Sequence, residues 1–361
     1  MLLPLLALLG GCKFVVLDPA GDIASQQRDI LLISTVLMLL IIIPVMALTA
    51  LFAWKYRQSN KDAEYAPDWD HSTQLELVIW SAPLLIIICL GALTWLSTHL
   101  LDPYRPLGRI SPDQQVAGKP LEVDVVALDW KWLFIYPEQK IAAVNELAVP
   151  VDRAVDFHIT SSSVMNSFYI PALAGQIYAM PGMETRLAAV ANHAGTYEGF
   201  SANYSGAGFS NMRFAFRAME TADFDGWVAG VRKEHDALDR NVYLALERPT
   251  EKEPVRHYAK VDDGLFNRIL NMCVEPGKMC MSMMSAIDMR GGLGVAGIGD
   301  TMPLEYDKHV RRGGAFGPEK SYVASTCSTD GAEPNGAAIS IPPLAAATPL
   351  LGAGLTQPSN N

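Results

Sequence analysis

Two long apolar runs near the start of the chain limit its fold more than any other feature. Each is about 25 residues long, and about 20 helical residues cross the hydrocarbon core of a bilayer. The first, 30–54, has no charged side chain, and the second, 77–101, has no Asp, Glu, Lys or Arg and a single histidine, His99. Pro44 and Pro83 interrupt the runs, which membrane helices tolerate. The sequence therefore predicts two transmembrane helices within 29–102.

The basic residues between the runs predict the orientation of this helical hairpin. Lys55, Arg57 and Lys61 follow the first run closely. Short loops rich in Lys and Arg remain on the cytoplasmic side. We therefore expect a cytoplasmic loop at about 55–75, with segment 12–28 and everything after the second helix in the periplasm.

The first residues of the chain are typical of a secretion signal. Residues 1–11 are uncharged and rich in leucine, and small residues directly precede Cys12. This pattern resembles a bacterial lipobox, so we expect cleavage after residue 11 and lipidation of Cys12. The alternative is an ordinary signal peptide in which Cys12 has no role.

Charge and cysteine content exclude some functions. The formal net charge is −10 and the basic residues are scattered, so the chain lacks the basic stripe of a nucleic-acid-binding surface. No cysteine lies between Cys89 and Cys273, which leaves the central part without thiolate metal ligands or a disulfide. Cys273 and Cys280 either pair, if that segment faces an oxidising space, or remain two free thiols.

Hydrophobic periodicity changes after the second run. Apolar residues alternate with polar ones in short stretches between about 120 and 220, which predicts an antiparallel β-sandwich or barrel. Phe224, Trp227, Val228 and Val231 then fall on one face of a helix that Thr221 can cap. We expect this helix to pack on the β-domain or on a partner.

The remainder of the chain is predicted to be a helical extension, 221–290, and a disordered tail, 291–361. Further helical turns are expected at 238–246 and 265–272, and the tail is rich in Gly, Ala, Pro and Ser. Sulfur-containing residues cluster within 272–284, where soft donors suit Cu(I). The alternative is an accidental run of Met272, Met279, Met281, Met283 and Met284 beside Cys273 and Cys280.

Four motifs in chain order resemble subunit II of the haem–copper respiratory oxidases. They are WKWLFIYPE at 130–138, VMNSFYIP at 164–171, MPGM at 180–183 and GTYEG at 195–199. The resemblance covers about 12–290. It implies a two-helix transmembrane hairpin followed by an all-β cupredoxin-like Greek-key barrel, with the short helices and the tail after it.

The resemblance also shows where the chain departs from the copper-binding members of that family. Those members hold two copper ions with a histidine before a Pro-containing turn and a loop of pattern C-x-E-x-C-x-x-x-H-x-x-M. The corresponding positions here are Asn166, Ser201, Asn203, Ser205, Phe209 and Met212. A copper pair needs thiolates and imidazoles, whereas serine hydroxyls do not deprotonate near neutral pH. We therefore expect no metal in this barrel, with hydrogen bonds replacing coordination.

This departure resembles the copper-free, quinol-oxidising branch, to which the cytochrome bo3 and ba3 types belong. The resemblance implies a bacterial inner-membrane complex with subunits I, III and IV, in which subunit I carries the haems and copper and oxidises ubiquinol. This chain would then hold no cofactor and no catalytic residue. Trp130 and Trp132 resemble the electron-receiving aromatic patch of cytochrome-oxidising relatives. Without copper behind them we interpret them as packing residues, with subunit I as a candidate partner.

Glu76 begins the second apolar run within the sequence ELVIWSAP. In the family that the chain resembles, a carboxylate here lies near the cytoplasmic mouth of a proton path into subunit I. We hypothesise that Glu76 admits protons to this path. The alternative is a plain interfacial residue, since a carboxylate at a helix start is also favoured by the helix dipole.

Two other functions fit parts of the sequence. A copper-bearing cytochrome c oxidase subunit shares the predicted fold but requires thiolates that positions 201 and 205 lack. A free-standing membrane lipoprotein with a cupredoxin-like binding module would not need two spans joined by a short basic loop. Co-purification with a haem-bearing membrane subunit separates it from an oxidase subunit.

Overall fold

Two long helices and a β-rich domain form the part of the chain that the computed structural model describes, namely residues 14–62, 68–116 and 118–289 with two short strands beyond. Helix α1 spans Asp22–Lys55 and helix α2 spans Thr73–Leu100. Both are long and apolar enough to cross a membrane, and their apolar windows are exposed. The Cys12 prediction lies outside the described residues.

Helix α1 begins well before the apolar run and joins the β-domain. Asp22, in its first turn, is buried and accepts two hydrogen bonds from the guanidinium of Arg109, at 2.9 and 3.1 Å. Just before the helix, the Ala20 and Gly21 amides donate to the carbonyl oxygen of Ala172, at 2.7 and 3.1 Å. The polar first turns are therefore fixed to the β-domain.

The β-domain consists of two sheets packed face to face. A short pair precedes them, β1 (Arg109–Ser111) with β2 (Gln114–Gln115). The strands that follow are β3 (Leu121–Leu128), β4 (Lys131–Tyr136), β5 (Ile141–Val144), β6 (Glu146–Pro150), β7 (Ala154–Ser161), β8 (Asn166–Tyr169), β9 (Ile177–Ala179), β10 (Thr185–Val190), β11 (Gly195–Ser201) and β12 (Arg213–Met219). The first sheet has the order β10-β7-β3-β4-β5 and the second β6-β12-β11-β8-β9.

The alternating apolar residues of these strands form the core between the two sheets, as their period predicts. Leu121, Val123 and Val125 are fully buried, while Glu122 and Asp124 on the other face are partly exposed. The prediction of an antiparallel domain was wrong for two strand pairs, because β3 pairs with β7, and β12 with β6, in parallel. These pairs join strands distant in sequence, which short-range periodicity cannot detect.

Helix α3 (Thr221–Val231) packs on the β-domain through the predicted face. Phe224, Val228 and Val231 are buried and Trp227 is partly buried against the same core. The prediction that Thr221 caps the helix was wrong, because Thr221 is the first helical residue. The N-cap position belongs to Glu220, which makes no capping hydrogen bond with its side chain.

The rest of the extension combines helices with short strands that the sequence pattern did not predict. The helices are α4 (Arg240–Leu246), α5 (Leu265–Leu270) and α6 (Met281–Met289), and the strands are β13 (Ala237–Leu238), β14 (Arg256–Tyr258) and β15 (Lys260–Val261). Strand β14 adds to the edge of the first sheet beside β5. Strands of two or three residues are too short for alternation to reveal.

A disulfide joins Cys273 and Cys280, which resolves the two alternatives for this pair. Within the tail predicted to be disordered, the structure describes two strands, β16 (Thr301–Leu304) and β17 (Ser321–Ala324), which pair antiparallel. The other tail residues lie outside the described part of the chain, and their disorder stays a prediction.

A buried carboxylate ties the extension to the β-domain. Glu146 on β6 accepts hydrogen bonds from Arg217 on β12 at 3.0 Å and from Trp227 on α3 at 3.1 Å, and it contacts His257 Nε2 on β14 at 2.6 Å. Burial alone would raise the pKa of Glu146, but these partners outweigh it and hold the pKa below its usual value. The charged carboxylate of Glu146 therefore joins four elements, namely β6, β12, α3 and β14.

Candidate functional site

The loop between β11 and β12 carries most of the positions that correspond to copper ligands. Its two ends are joined, since the Ser201 amide donates to the carbonyl oxygen of Met212 at 3.2 Å. The next amide, of Ala202, donates to the carbonyl oxygen of Ser167 on β8 at 3.0 Å. A 3-10 turn at Phe209–Asn211 returns the chain to β12. These bonds hold the loop against β8, where the remaining position, Asn166, begins the strand.

Asn166 and Ser201 meet inside the domain. Their residues are 1% and 2% exposed, and Ser201 Oγ lies 3.2 Å from Asn166 Oδ1. The same hydroxyl lies 3.2 Å from the carbonyl oxygen of Asn203, so its single hydrogen is shared between two acceptors. The amide nitrogen of Asn166 donates to the carbonyl oxygen of Val164 at 3.1 Å. The site is thus a small hydrogen-bonded polar group.

The other positions complete this group less tightly. The Asn203 side-chain amide donates to the carbonyl oxygen of Met165 at 3.2 Å, which joins the loop to the segment before β8. The Ser205 hydroxyl lies 4.0 Å from the sulfur of Met212, which is buried in the core. The structure therefore joins Asn166, Ser201 and Asn203 directly and places Ser205 beside Met212.

Phe209 occupies its position with an aromatic contact. Its ring meets that of Tyr204 edge-on, with the ring centroids 5.6 Å apart. A phenyl ring offers no metal donor, and the contact keeps the 3-10 turn close to the tip of the loop. Tyr204 itself is exposed, so this pair forms part of the outer surface of the site.

Trp130 packs against the loop between β11 and β12. Its indole nitrogen donates to the carbonyl oxygen of Ser205 at 3.0 Å. Its ring lies so close to Gly208 that an added Cβ would stand 2.4 Å from the indole Cδ2. Trp132, by contrast, is fully buried and makes an edge-on contact with Phe168 at 5.4 Å. Both tryptophans therefore pack within the β-domain, as we interpreted them.

The donors of this site do not fit a dinuclear copper centre. Hydroxyl and amide oxygens are hard ligands, and the single thioether of Met212 cannot hold two metal ions. Among the residues that the structure describes, no three His, Cys, Asp or Glu side chains converge on a possible metal position. The group can donate and accept hydrogen bonds.

Glu76 lies in the first turn of α2 and has a partner that the sequence analysis missed. Its Oε1 lies 2.7 Å from Nδ1 of His71, and Nε2 of the same ring lies 3.2 Å from the hydroxyl of Thr73. Both ionisable side chains are exposed. A spacing of five residues is not a helical or strand repeat, so the sequence does not predict the pair. The turn of the chain before α2 brings the two side chains together.

A second group of ionisable residues lies on the outer face of the first sheet, beside α5. Asp124 on β3 is half-buried there, and burial raises its pKa to about 7 despite the nearby charge of His158. Nδ1 of His158 lies 2.8 Å from Oε1 of Glu184, the residue directly before β10. Asp124 therefore changes its protonation near neutral pH.

Two family models match the part of the chain that follows the apolar helices. Residues 121–219 match the family model described as cytochrome c oxidase subunit II, periplasmic domain. Residues 232–277 match the model described as COX aromatic rich motif. The first match covers the two sheets, so the predicted fold is confirmed as two apolar helices, a cupredoxin-like domain and short C-terminal helices.

Individual relatives cover most of the described chain. Cytochrome bo(3) ubiquinol oxidase subunit 2 of Pseudomonas putida is 53% identical over 264 residues, which are 73% of this chain and 82% of that protein. Ubiquinol oxidase subunit 2 of Acetobacter aceti is 50% identical over 263 residues, 73% of this chain and 84% of that one. The crystal structure of the periplasmic domain of subunit II of the Bradyrhizobium japonicum cytochrome oxidase is 23% identical, with a TM-score of 0.31, over 32% of this chain and 96% of that one.

Proposed function

The chain belongs to the family of subunit 2 of cytochrome bo3-type ubiquinol oxidases, and on this premise we propose that it is subunit II of a proton-pumping respiratory complex. The complex oxidises ubiquinol, reduces oxygen to water and lies in the bacterial inner membrane. Helices α1 and α2 span this membrane and brace subunit I, with subunits III and IV completing the complex. Membrane lipid surrounds the exposed faces of both helices.

The observation that carries this proposal is the hydrogen bonding at the former ligand positions. Asn166, Ser201 and Asn203 use their polar atoms on one another and on neighbouring carbonyl groups. Because this chain supplies no redox centre, electrons from a periplasmic cytochrome have no route through the β-domain. Ubiquinol dissolves in the membrane and delivers electrons to subunit I directly, where the haems and copper are held.

The β-domain then has a structural role on the periplasmic side. Its link to α1 through Asp22 and Arg109 fixes it relative to the membrane helix. A rigid joint of this kind holds the domain over the periplasmic face of subunit I. We propose that lipidation of Cys12, ten positions before Asp22 in the sequence, supplies a further attachment to the periplasmic leaflet of the membrane.

A donor assay on the purified complex tests the proposal. We expect co-purification with a haem-bearing subunit, oxygen consumption with ubiquinol and none with reduced cytochrome c. Oxygen consumption with cytochrome c would contradict the proposal and favour a copper-bearing subunit. Purification of the chain without any haem protein would favour the free-standing lipoprotein.

We propose in addition that Glu76 admits protons from the cytoplasm. Its position in the first turn of α2, its exposure and the contact with His71 support this role. The imidazole and the carboxylate can each take up a proton from the cytoplasm and pass it on, whereas an amide cannot.

Substitutions of Glu76 test the proton role separately from the donor assay. Glu76→Ala and Glu76→Gln are expected to slow oxygen consumption at saturating ubiquinol while the haem content stays normal, and Glu76→Asp to retain part of the rate. Glu251→Gln is the matched control, since Glu251 is an exposed glutamate of the periplasmic extension. Unchanged turnover in Glu76→Gln would end the proton hypothesis and leave the assignment as an oxidase subunit intact.

A further inference from the structure

Two methionines of the extension pack against a turn of the β-domain that carries two more, away from the loop at 201–212. Met180 and Met183 lie on the turn between β9 and β10. Met272 and Met281 lie directly outside the cysteines of the disulfide in the extension. The sequence cluster at 272–284 gave no sign that the 180–183 turn belongs with it. We call these four residues the methionine cluster.

The first half of the methionine cluster is held rigidly on the β-domain. The carbonyl oxygen of Met180 accepts hydrogen bonds from the Thr160 hydroxyl at 3.1 Å and the Ser161 amide at 3.3 Å. The Met183 amide closes the turn with a bond of 3.4 Å to the same carbonyl oxygen. The backbone that carries both methionines is therefore fixed to strand β7.

The second half is held by the disulfide loop. The bond between Cys273 and Cys280 brings the residues on either side of it together, and the Met281 amide donates to the carbonyl oxygen of Asn271 at 3.0 Å. Arg240 on α4 donates to the carbonyl oxygen of Cys273 at 3.2 Å. Met272 and Met281 thus stand side by side, although eight residues separate them.

Gly182 is the point where the two halves meet. An added Cβ on Gly182 would stand 2.8 Å from the sulfur of Met281 and 3.6 Å from the sulfur of Met272. Both sulfur atoms therefore face the same point of the turn, between Met180 and Met183. Gly182 has a φ of +71°, which favours glycine, and the missing side chain leaves room for the sulfurs.

Solvent exposure separates this arrangement from ordinary core packing. Methionines that only fill space are usually buried, yet Met183 is 54% exposed and Met281 is 40% exposed. Both residues can therefore be reached in part from solvent. The disulfide also removes the two nearby thiols as competing ligands, so the soft donors at this place are neutral thioethers.

We propose that the methionine cluster binds one Cu(I) ion. Thioether sulfur is a soft ligand that suits Cu(I), whereas Zn²⁺ prefers thiolate and imidazole, and Mg²⁺ and Ca²⁺ prefer oxygen. The binding needs no electron transfer and releases no proton, because the thioethers are neutral in both states. The site is separate from the 201–212 loop and from the proposed role of the chain in the oxidase.

A Cu(I) competition titration of the purified complex tests this proposal. Bicinchoninate competes for Cu(I) under anaerobic conditions, and the copper held by subunit I is the same in every variant. The wild type is expected to bind one equivalent more than the double variant Met272→Leu/Met281→Leu, which keeps the apolar bulk but removes two sulfurs. Met289→Leu is the matched control, since Met289 lies on the same helix and is 80% exposed.

A single substitution of a surface residue tests the proposal even if the double variant fails to assemble into the complex. Met183→Leu removes an exposed thioether and should lower the affinity by about tenfold or more, because even indirect changes at metal sites cost that much. X-ray absorption of the added copper should show sulfur neighbours alone. Equal uptake by the wild type and the Leu variants, an equal loss in Met289→Leu, or nitrogen and oxygen neighbours would each overturn the proposal.

Discussion

Ser201 Oγ lies 3.2 Å from Asn166 Oδ1. The family resemblance relates these two positions to a cysteine and a histidine of the copper-binding members. The side chains of Ser201 and Asn166 come from β11 and β8, adjacent strands of the second sheet. The fold therefore brings two of the positions expected to replace copper ligands into direct contact. Hydrogen bonding now satisfies polar atoms that are almost fully buried.

Loss of the Ser201 hydroxyl should destabilise the β-domain modestly. Ser201→Ala leaves the Asn166 and Asn203 oxygens without their shared donor, which should lower the free energy of unfolding by about 1 kcal/mol. Denaturant titration of the purified chain in detergent, followed by tryptophan fluorescence, measures the change. Ser210→Ala, at an exposed position of the same loop, is the control and should have little effect. A stabilised Ser201→Ala variant would contradict this description of the site.

His71 should support proton entry through Glu76. Because their side chains are 2.7 Å apart, His71→Ala should reduce turnover several-fold, by less than Glu76→Ala does. The double variant should be no slower than Glu76→Ala alone, since both residues serve one path. Oxygen consumption at saturating ubiquinol measures all three. Additive losses in the double variant would show that the two residues act independently.

Glu146 should contribute more to stability than any exposed acidic residue. Glu146→Gln weakens the contacts to Arg217, Trp227 and His257, and the expected loss is about 3 kcal/mol. Glu198→Gln is the matched control, because the ion pair of Glu198 with Arg213 is exposed and worth about 0–1 kcal/mol. Denaturant titration compares the two variants, and equal losses would contradict the prediction.

The lowered pKa of Glu146 also predicts a dependence on acid. Its folded pKa lies below the unfolded value of about 4.3, so its stabilising effect is present above that value. As the pH falls through the folded pKa, the unfolded chain binds more protons and this stability is lost. The difference in the free energy of unfolding between wild type and Glu146→Gln should therefore become smaller in acid. A difference that does not change with pH would contradict the lowered pKa of Glu146.

The raised pKa of Asp124 should make the folded protein less stable as the pH rises, the opposite of the effect of Glu146. The folded pKa of Asp124, about 7, exceeds the unfolded value of about 3.9, so the folded chain binds more protons between these values and loses stability as the pH rises. Asp124→Asn should raise the thermal midpoint at pH 8 and change it little at pH 5. The exposed Asp225→Asn is the control. Equal effects at both pH values would contradict the shift.

Local patterns in the sequence predicted the elements whose own residues determine them. The apolar runs predicted α1 and α2, and alternation around Leu121 and Phe214 predicted the buried strands. The helical spacing from Phe224 to Val231 predicted the buried face of α3. In each case the pattern repeats over two or more turns or pleats, which makes it readable without tertiary contacts.

Local sequence patterns could not predict contacts between residues that are far apart in the chain. Arg109 meets Asp22 across 87 positions, and Lys131 is fully buried yet donates to the carbonyl oxygen of Arg248 at 2.7 Å. A lysine in the middle of a strand gives no sign of such a partner. The sequence shows the methionines at 272–284. Only the fold shows that Met272 and Met281 pack against Gly182.

The absorption spectrum of the whole chain, purified on its own from copper-supplied cells, decides whether the β-domain holds a pair of copper ions. We expect no purple, near-infrared-absorbing centre, and Cu(I) at the methionine cluster would not add one because its d shell is full. A variant that restores the family's ligands is the positive control: Asn166→His, Ser201→Cys, Asn203→Glu, Ser205→Cys and Phe209→His. A purple centre with two copper ions in the unaltered chain would contradict the account.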